Sequence, residues 1–212
     1  MKQKILIYDF DGVVCDSVHI KTEAFVELYA PYDENIQQAV RTYHLKHGGI
    51  SRYEKFNYFE SELLGNTITE KRIEDLAESF TRLVKEKVIA SPYVNGIFSF
   101  LEKNKNEALQ YICTGTPETE ILEITKRKQI DHLFNAIYGS PKSKTTIIRN
   151  ILKDTGARPK DCLFFGDAFT DLNAALECDI PFIGIRNKDT KFPEETFLIN
   201  DFEDKQLLKL TI

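Results

Sequence analysis

Asp9 and Asp11 stand two residues apart in Asp9-Phe-Asp-Gly12, directly after the apolar run Lys4-Ile-Leu-Ile-Tyr8. Residues two apart on a continuing strand share a face, and Gly12 loosens the backbone so that both carboxylates can approach one reacting group. When one member of such a pair is ionised it can attack, while the other donates or removes a proton. Like charges in one buried site oppose joint ionisation, and a divalent cation resolves that conflict. Asp167 and Asp171, which follow Gly166, add the carboxylate oxygens that a hard ion such as Mg²⁺ takes, with water and a phosphate oxygen completing its octahedron. Taken singly, either pair also reads as a strand-end turn whose Asp side chains bond nearby backbone.

Two further segments supply what the carboxylates lack. Thr114, Gly115 and Thr116 offer hydroxyls and exposed backbone N–H groups just before a predicted helix, which suits a phosphate. Lys142 and Lys144, in Ser140-Pro-Lys-Ser-Lys-Thr145, offer a cation able to neutralise charge on a transferring phosphoryl group. At least one of these two lysines is a solvated loop residue, and spacing alone does not choose between them.

The elements that must position these groups are short apolar strands ending in polar turns. The runs 4–8, 108–113, 135–138 and 161–165 share that shape, with 180–184 a further strand candidate. Helical spacing of apolar residues separates them, as in Ile147, Ile148, Ile151 and Leu152. Alternation of this kind predicts an α/β fold, a Rossmann-like parallel sheet flanked by helices, whose ligands bind outside the carboxyl ends of the strands. All the polar motifs fall there. Residues 16–91 break the alternation with helical patterns alone, so an all-helical insertion is expected there, with the core formed by 1–15 and 92–212. Ser91-Pro92 marks its return to the core. In the tail, 196–199 is strand-like and 202–210 helix-like.

Composition narrows the partners. With 212 residues and 42% apolar content the chain can build a core and a smaller second unit. A formal charge of -5 does not favour nucleic acid. No apolar run approaches the ~20 residues that span a bilayer and no secretory leader is expected at the start, so no membrane association and a cytoplasmic location are predicted. The four cysteines lack zinc-ligand spacing and are expected to be reduced packing residues.

Together these segments resemble the haloacid-dehalogenase-like hydrolases. Asp9-Phe-Asp-Gly-Val-Val-Cys-Asp-Ser17 is similar to their first signature, Thr114 to the second, the 142–144 segment to the third, and Gly166-Asp-Ala-Phe-Thr-Asp171 to the fourth. The resemblance implies an α/β core with a helical cap domain, as in phosphoglycolate phosphatases and β-phosphoglucomutases. It makes Asp9 the nucleophile that becomes an aspartyl-phosphate and Asp11 the acid and then the base. Asp9, the backbone carbonyl of Asp11, and Asp167 would hold Mg²⁺, with Asp171 supporting the metal shell or the lysine. Lys144, which would open a helix, is preferred over Lys142. Because true dehalogenases do not use the second aspartate, Asp11 argues for phosphoryl chemistry on a phosphorylated small-molecule substrate.

Within the predicted insertion, His47-Gly-Gly-Ile-Ser-Arg52 is a glycine-rich turn that carries a guanidinium, and its resemblance to cap loops makes Arg52 a candidate grip on a carboxylate or second phosphate. His19 and Lys21 are candidates to line the cleft between core and insertion. Tyr32, Tyr43, Tyr53 and Tyr58 either pack the helices or line a polar pocket, and their periodicity favours packing. Two rivals to a phosphatase remain at this level: a sugar-phosphate mutase with the same aspartates, and a non-catalytic interaction protein on the same fold.

Overall fold

The computed structural model describes residues 4–207. β1 (Lys4–Tyr8) lies at the middle of a six-stranded sheet, joined by β2 (Ala108–Pro117), β3 (Ala136–Ser140), β4 (Cys162–Gly166), β5 (Phe182–Ile185) and β6 (Leu198–Ile199) in the order β3-β2-β1-β4-β5-β6. Every pairing is parallel, and Tyr8 registers with Ile112 on one side and Phe165 on the other. The period-two geometry of β1 divides its side chains between the two faces of the sheet. Ile5 and Ile7 pack with Ile147 and Ile148, whereas Leu6 and Tyr8 join Leu101, Phe134 and Phe165.

Strand order reverses at β1, since β2 and β3 run out to one edge while β4 to β6 run to the other. The crevice at the carboxyl ends, beside that switch point, is where open sheets of this kind bind ligands. Asp9 is delivered there by a ladder that continues one residue past the strand, its N–H donating to Phe165 O at 2.9 Å.

Between β1 and β2 come α1 (Val18–Leu28), α2 (Glu34–Lys46), α3 (Arg52–Tyr58), α4 (Glu70–Ala90) and α5 (Ile97–Asn104), and among the described residues 18–90 contain no strand. α4 buries Ile73, Leu76, Ala77, Phe80, Val84 and Val88, a single stripe at helical spacing. Its Phe80 meets Phe25 of α1 at 4.2 Å between ring centroids, and Phe56 stands 5.4 Å from Phe25. The remaining helices, α6 (Glu118–Arg127), α7 (Lys144–Thr155) and α8 (Phe169–Glu177), each follow a strand and cover the sheet.

The structure adjusts several expectations. β2 runs on through Thr114, Gly115 and Thr116 with a register shift after Cys113, so these residues end a strand and do not form a separate turn. Residues 59–63 wind as a π-helix rather than continuing the α-helical pattern. The strand expected at 196–199 shortens to Leu198–Ile199. Turns replace the expected helix over 202–206, and the segment beyond 207 lies outside the described residues. Tyr43 and Tyr58 stack at 3.8 Å, and none of Tyr32, Tyr43, Tyr53 and Tyr58 lines the cleft described below. All four cysteines are free and buried.

Candidate active site

Asp9 leaves β1 with its carboxylate buried, and its Oδ1 accepts from the N–H of Phe10 at 2.7 Å. Its Oδ2 lies 2.9 Å from Lys144 Nζ. Lys144 reaches it because Ser143 caps α7, accepting from Thr146 N and placing the lysine on the first helical position. Lys142 instead has a half-exposed side chain 3.9 Å from Glu118. Of the two candidates, the structure brings Lys144 to Asp9.

Asp167 and Asp171 approach from β4 and α8. Asp9, Asp167 and Asp171 each place a carboxylate oxygen within 4.8 Å of the others, all three buried. Asp171 Oδ1 accepts from Lys144 Nζ at 2.5 Å and Oδ2 from Ala168 N at 3.1 Å, so both of its oxygens are engaged in fixing the lysine and the start of α8. Asp167 is held from the side by Asn187, whose amide donates to Asp167 O at 2.7 Å. Gly12 shows how close the two motifs come: its φ is 79°, and a Cβ there would lie 2.2 Å from Asp167 Oδ2.

Charge in this cluster is poorly balanced. Burial, reinforced by the charges of Asp9 and Asp171, holds the Asp167 carboxyl well above the usual carboxylate range. Burial also pushes Asp171 up to about 7, against the pull of Lys144 and with Asp9 adding to the rise. Lys144 is burdened by burial too, but Asp171 and Asp9 outweigh it and keep the ammonium protonated. Three buried carboxyl groups compete for one ammonium, and their hard oxygens fit a divalent cation that would take the place of the proton Asp167 holds.

Asp11 faces the other way. Its Oδ2 accepts from Lys21 Nζ at 2.5 Å and from Thr116 Oγ1 at 3.2 Å, and its Oδ1 from Ser17 Oγ at 2.6 Å. Burial raises its pKa, but the Lys21 charge and these hydrogen bonds prevail and hold it below the usual value. Thr116, expected to bind substrate, thus spends its hydroxyl on Asp11 and Lys21. Thr114 is buried and lines the cleft together with Gly115.

The helical insertion closes over these groups. Thr170 Oγ1 donates to Gly48 O at 2.7 Å, and a Cβ on Gly49 would lie 2.9 Å from Lys144 Nζ. Gly115 must likewise lack a side chain, since a Cβ would stand 2.3 Å from Gly49 O. Beneath the contact remains a cleft of about 920 Å³, lined by Asp9, Asp11, Lys21, Lys55, Thr114 and Asp167 among others.

Two expected substrate contacts sit differently from the sequence reading. Arg52 is buried, and its guanidinium makes a bidentate pair with Glu120 at 2.7 and 2.9 Å while also donating to Thr81 at 2.7 Å. Its fork is therefore occupied by the protein, which corrects the expectation of a free anion grip. His19 lines the cleft mouth with a side chain 67% exposed, 3.9 Å from Asp16. Sequence reasoning missed Ser17, Asn187, His44, Lys55, Glu120 and Thr170. Asn187 had a usable signal, because it follows an apolar strand in the manner of Asp9 and Asp167.

The sequence matches the haloacid dehalogenase-like hydrolase family over residues 6–185, and the chain belongs to that family. The fold is similar to a predicted phosphatase from Clostridium acetobutylicum (TM-score 0.75, 18% identity, covering 99% of this chain and 100% of that one). It is also similar to a predicted phosphoglycolate phosphatase from Haemophilus somnus 129pt (TM-score 0.74, 17% identity, 99% of each chain). A β-phosphoglucomutase from Clostridium difficile shares it as well (TM-score 0.75, 17% identity, 97% of this chain and 95% of that one). No curated protein matches the sequence. Among the described residues no helix is long and apolar enough to cross a membrane.

Proposed function

We propose that this hydrolase is a Mg²⁺-dependent phosphatase of small phosphorylated metabolites, working through an aspartyl-phosphate on Asp9. The observation that carries this reading is the position of Lys144, 2.9 Å from Asp9 and bonded to Asp171, beside a buried Asp167 that among the described residues has no ion pair within 4.0 Å. Asp9, Asp167 and the backbone carbonyl of Asp11 would hold the ion, with Asp171 fixing the lysine. Once bound, Mg²⁺ would supply positive charge to the phosphoryl oxygens.

Asp9 is oriented for attack by the Phe10 N–H, with the Lys144 ammonium 2.9 Å from its other oxygen. Lys144 then lies where charge on the transferring group develops, and Thr114, whose hydroxyl accepts from Thr116 N–H at 3.3 Å, would orient the remaining oxygens with the backbone N–H of Gly115. Asp11 is ionised while Lys21 holds it, a state suited to accept a proton from the water that cleaves the aspartyl-phosphate. To donate a proton to the leaving alcohol it must first take one up, so substrate entry has to loosen the Lys21 contact. The Thr170–Gly48 contact lays the 48–49 turn beside the buried Lys144, and shielding of that kind favours a second reading, return of the phosphoryl group to another sugar hydroxyl.

A panel of phosphate monoesters assayed with Mg²⁺ tests the reading, with products identified for every sugar phosphate consumed. Free phosphate supports hydrolysis, an isomeric phosphate supports the mutase, and no turnover of any ester leaves the phosphatase reading without support.

A further inference from the structure

Among the described residues, four lysine and arginine side chains in or beside the cleft are buried or nearly so, and three of them are matched to carboxylates. Lys144 meets Asp9 and Asp171, Lys21 meets Asp11, and Arg52 meets Glu120. Lys55, on α3, is the fourth. It is 2% exposed, lines the cleft, and among the described residues has no carboxylate oxygen within 4.0 Å of its ammonium. Its one hydrogen-bond partner there is His44 Nδ1 at 2.8 Å, and its Nζ stands 5.4 Å from the Phe25 ring centroid.

A lysine ammonium has three donors and no acceptor, so an arrangement that engages one of them leaves two for a ligand. Withholding a carboxylate from a buried lysine is costly unless something else supplies the charge. His44 does not supply it: burial, with the Lys55, Lys21 and Arg41 charges behind it, holds the imidazole neutral. The ring therefore accepts from Lys55 and orients it without opposing its charge. Burial pushes the Lys55 amine down to about 7, with Lys21 and Lys144 adding to the fall and Asp11 and Asp167 resisting it. An amine poised this way becomes a full cation when an anion arrives beside it.

Resting on the phosphatase reading above, we infer that Lys55, oriented by His44, is the specificity-determining cation for a second anionic group of the substrate. The transferred phosphoryl group would lie at Asp9 and Lys144, and a carboxylate or second phosphate on the same molecule would reach Lys55 across the cleft. Arg52, committed to Glu120, leaves that role to Lys55. A neutral sugar tail would leave the buried amine without a counter-charge and bind more weakly.

Binding without turnover tests this directly. Calorimetric titration of the whole protein with Mg²⁺ would compare phosphonoacetate and 3-phosphonopropionate with ethylphosphonate and propylphosphonate, and methylenebisphosphonate would serve as the second-phosphate arm. Wild type should prefer at least one anionic-tail probe over its neutral counterpart by roughly tenfold or more, the worth of a charge-assisted hydrogen bond. The arm that wins identifies carboxylate or phosphate. Lys55→Met should abolish that preference, leave the neutral phosphonates bound within about twofold, and raise the melting temperature by removing a buried charge. A structural lysine would lower the melting temperature on the same substitution. No preference in wild type, or an equal loss for anionic and neutral probes in Lys55→Met, overturns the inference. Turnover of a phosphate ester is a separate readout: its absence undoes the phosphatase reading, while a charge preference in binding would stand regardless.

Discussion

Arg52 and Glu120 lie 68 residues apart in sequence and meet in a buried, two-bond ion pair that ties α3 of the helical insertion to α6 of the core. Burial raises the Glu120 pKa, but the Arg52 charge and hydrogen bonds prevail and keep it ionised. The pair works as a tether: parting α3 from α6 would separate two charges or carry both into water.

Glu120→Ala should therefore destabilise the protein by about 3–5 kcal/mol, because it strands a buried guanidinium. Replacing both partners, Arg52→Met with Glu120→Leu, should restore most of that loss. Denaturant titration of the three variants checks it; a double variant no better than Glu120→Ala would mean that the pair's hydrogen bonds, including the one to Thr81, cannot be replaced by packing.

Lys144→Met should cut turnover by roughly a hundredfold to a thousandfold, the usual cost of losing one fixed electrostatic group at a transferring centre. Lys142→Ala, at a half-exposed lysine that does not reach Asp9, should stay within about twofold. Steady-state rates on one aryl phosphate decide the matter, and the opposite ranking would move the catalytic cation to Lys142.

How far the sequence carried depends on the range of each interaction. The parallel sheet was legible because each strand is an apolar run with a polar residue at its exit, and that local pattern also located Asp9, Asp11 and Asp167. Lys144 could be favoured because its segment resembles family members whose lysine opens a helix, and α7 does begin at Lys144. Pairings set by how the insertion docks left no local trace. Nothing near Arg52 announces Glu120, so its guanidinium read as free. His44 and Lys55 belong to different helices, and their 2.8 Å contact depends on the packing of α2 against α3. β6 was overextended because two ladder residues suffice at a sheet edge, where neighbouring turns carry the rest of the chain.

Asp167→Asn offers a stability test that needs no substrate. Burial, with Asp9 and Asp171, raises the Asp167 pKa, so folded protein without a divalent ion retains a proton that the unfolded chain releases above about pH 4. Below that value the group costs nothing, and as pH rises toward neutrality its stability contribution is lost. The asparagine variant should thus gain on wild type in ion-free buffer as pH rises above about 4. Mg²⁺ at about a hundredfold its Kd should add about 2.7 kcal/mol to wild type and much less to the variant. Equal Mg²⁺ shifts in both would remove Asp167 from the ligand set.

The covalent route makes the sharpest demand, because it assigns Asp9 and Asp11 to different steps. Asp9, fixed by Phe10 N–H and Lys144, is the group placed to take the phosphoryl group, so Asp9→Asn should abolish phosphoenzyme formation. Asp11 is bonded to Lys21, Ser17 and Thr116 and should govern proton transfer instead. Asp11→Asn should then slow alkyl phosphates by roughly a hundredfold or more, and an activated aryl phosphate less, because its leaving group needs little help from an acid. Lys21 holds the Asp11 pKa down, so Lys21→Met should raise it and, because Asp11 serves as the acid in the step that kcat/KM covers, move the alkaline limb of that profile to higher pH. Rapid acid quench with ³²P-labelled substrate and peptide mapping would read the first claim, and pH profiles the others. Label reproducibly on a residue other than Asp9, or an alkaline limb that stays in place in Lys21→Met, would require a different division of labour between the two aspartates.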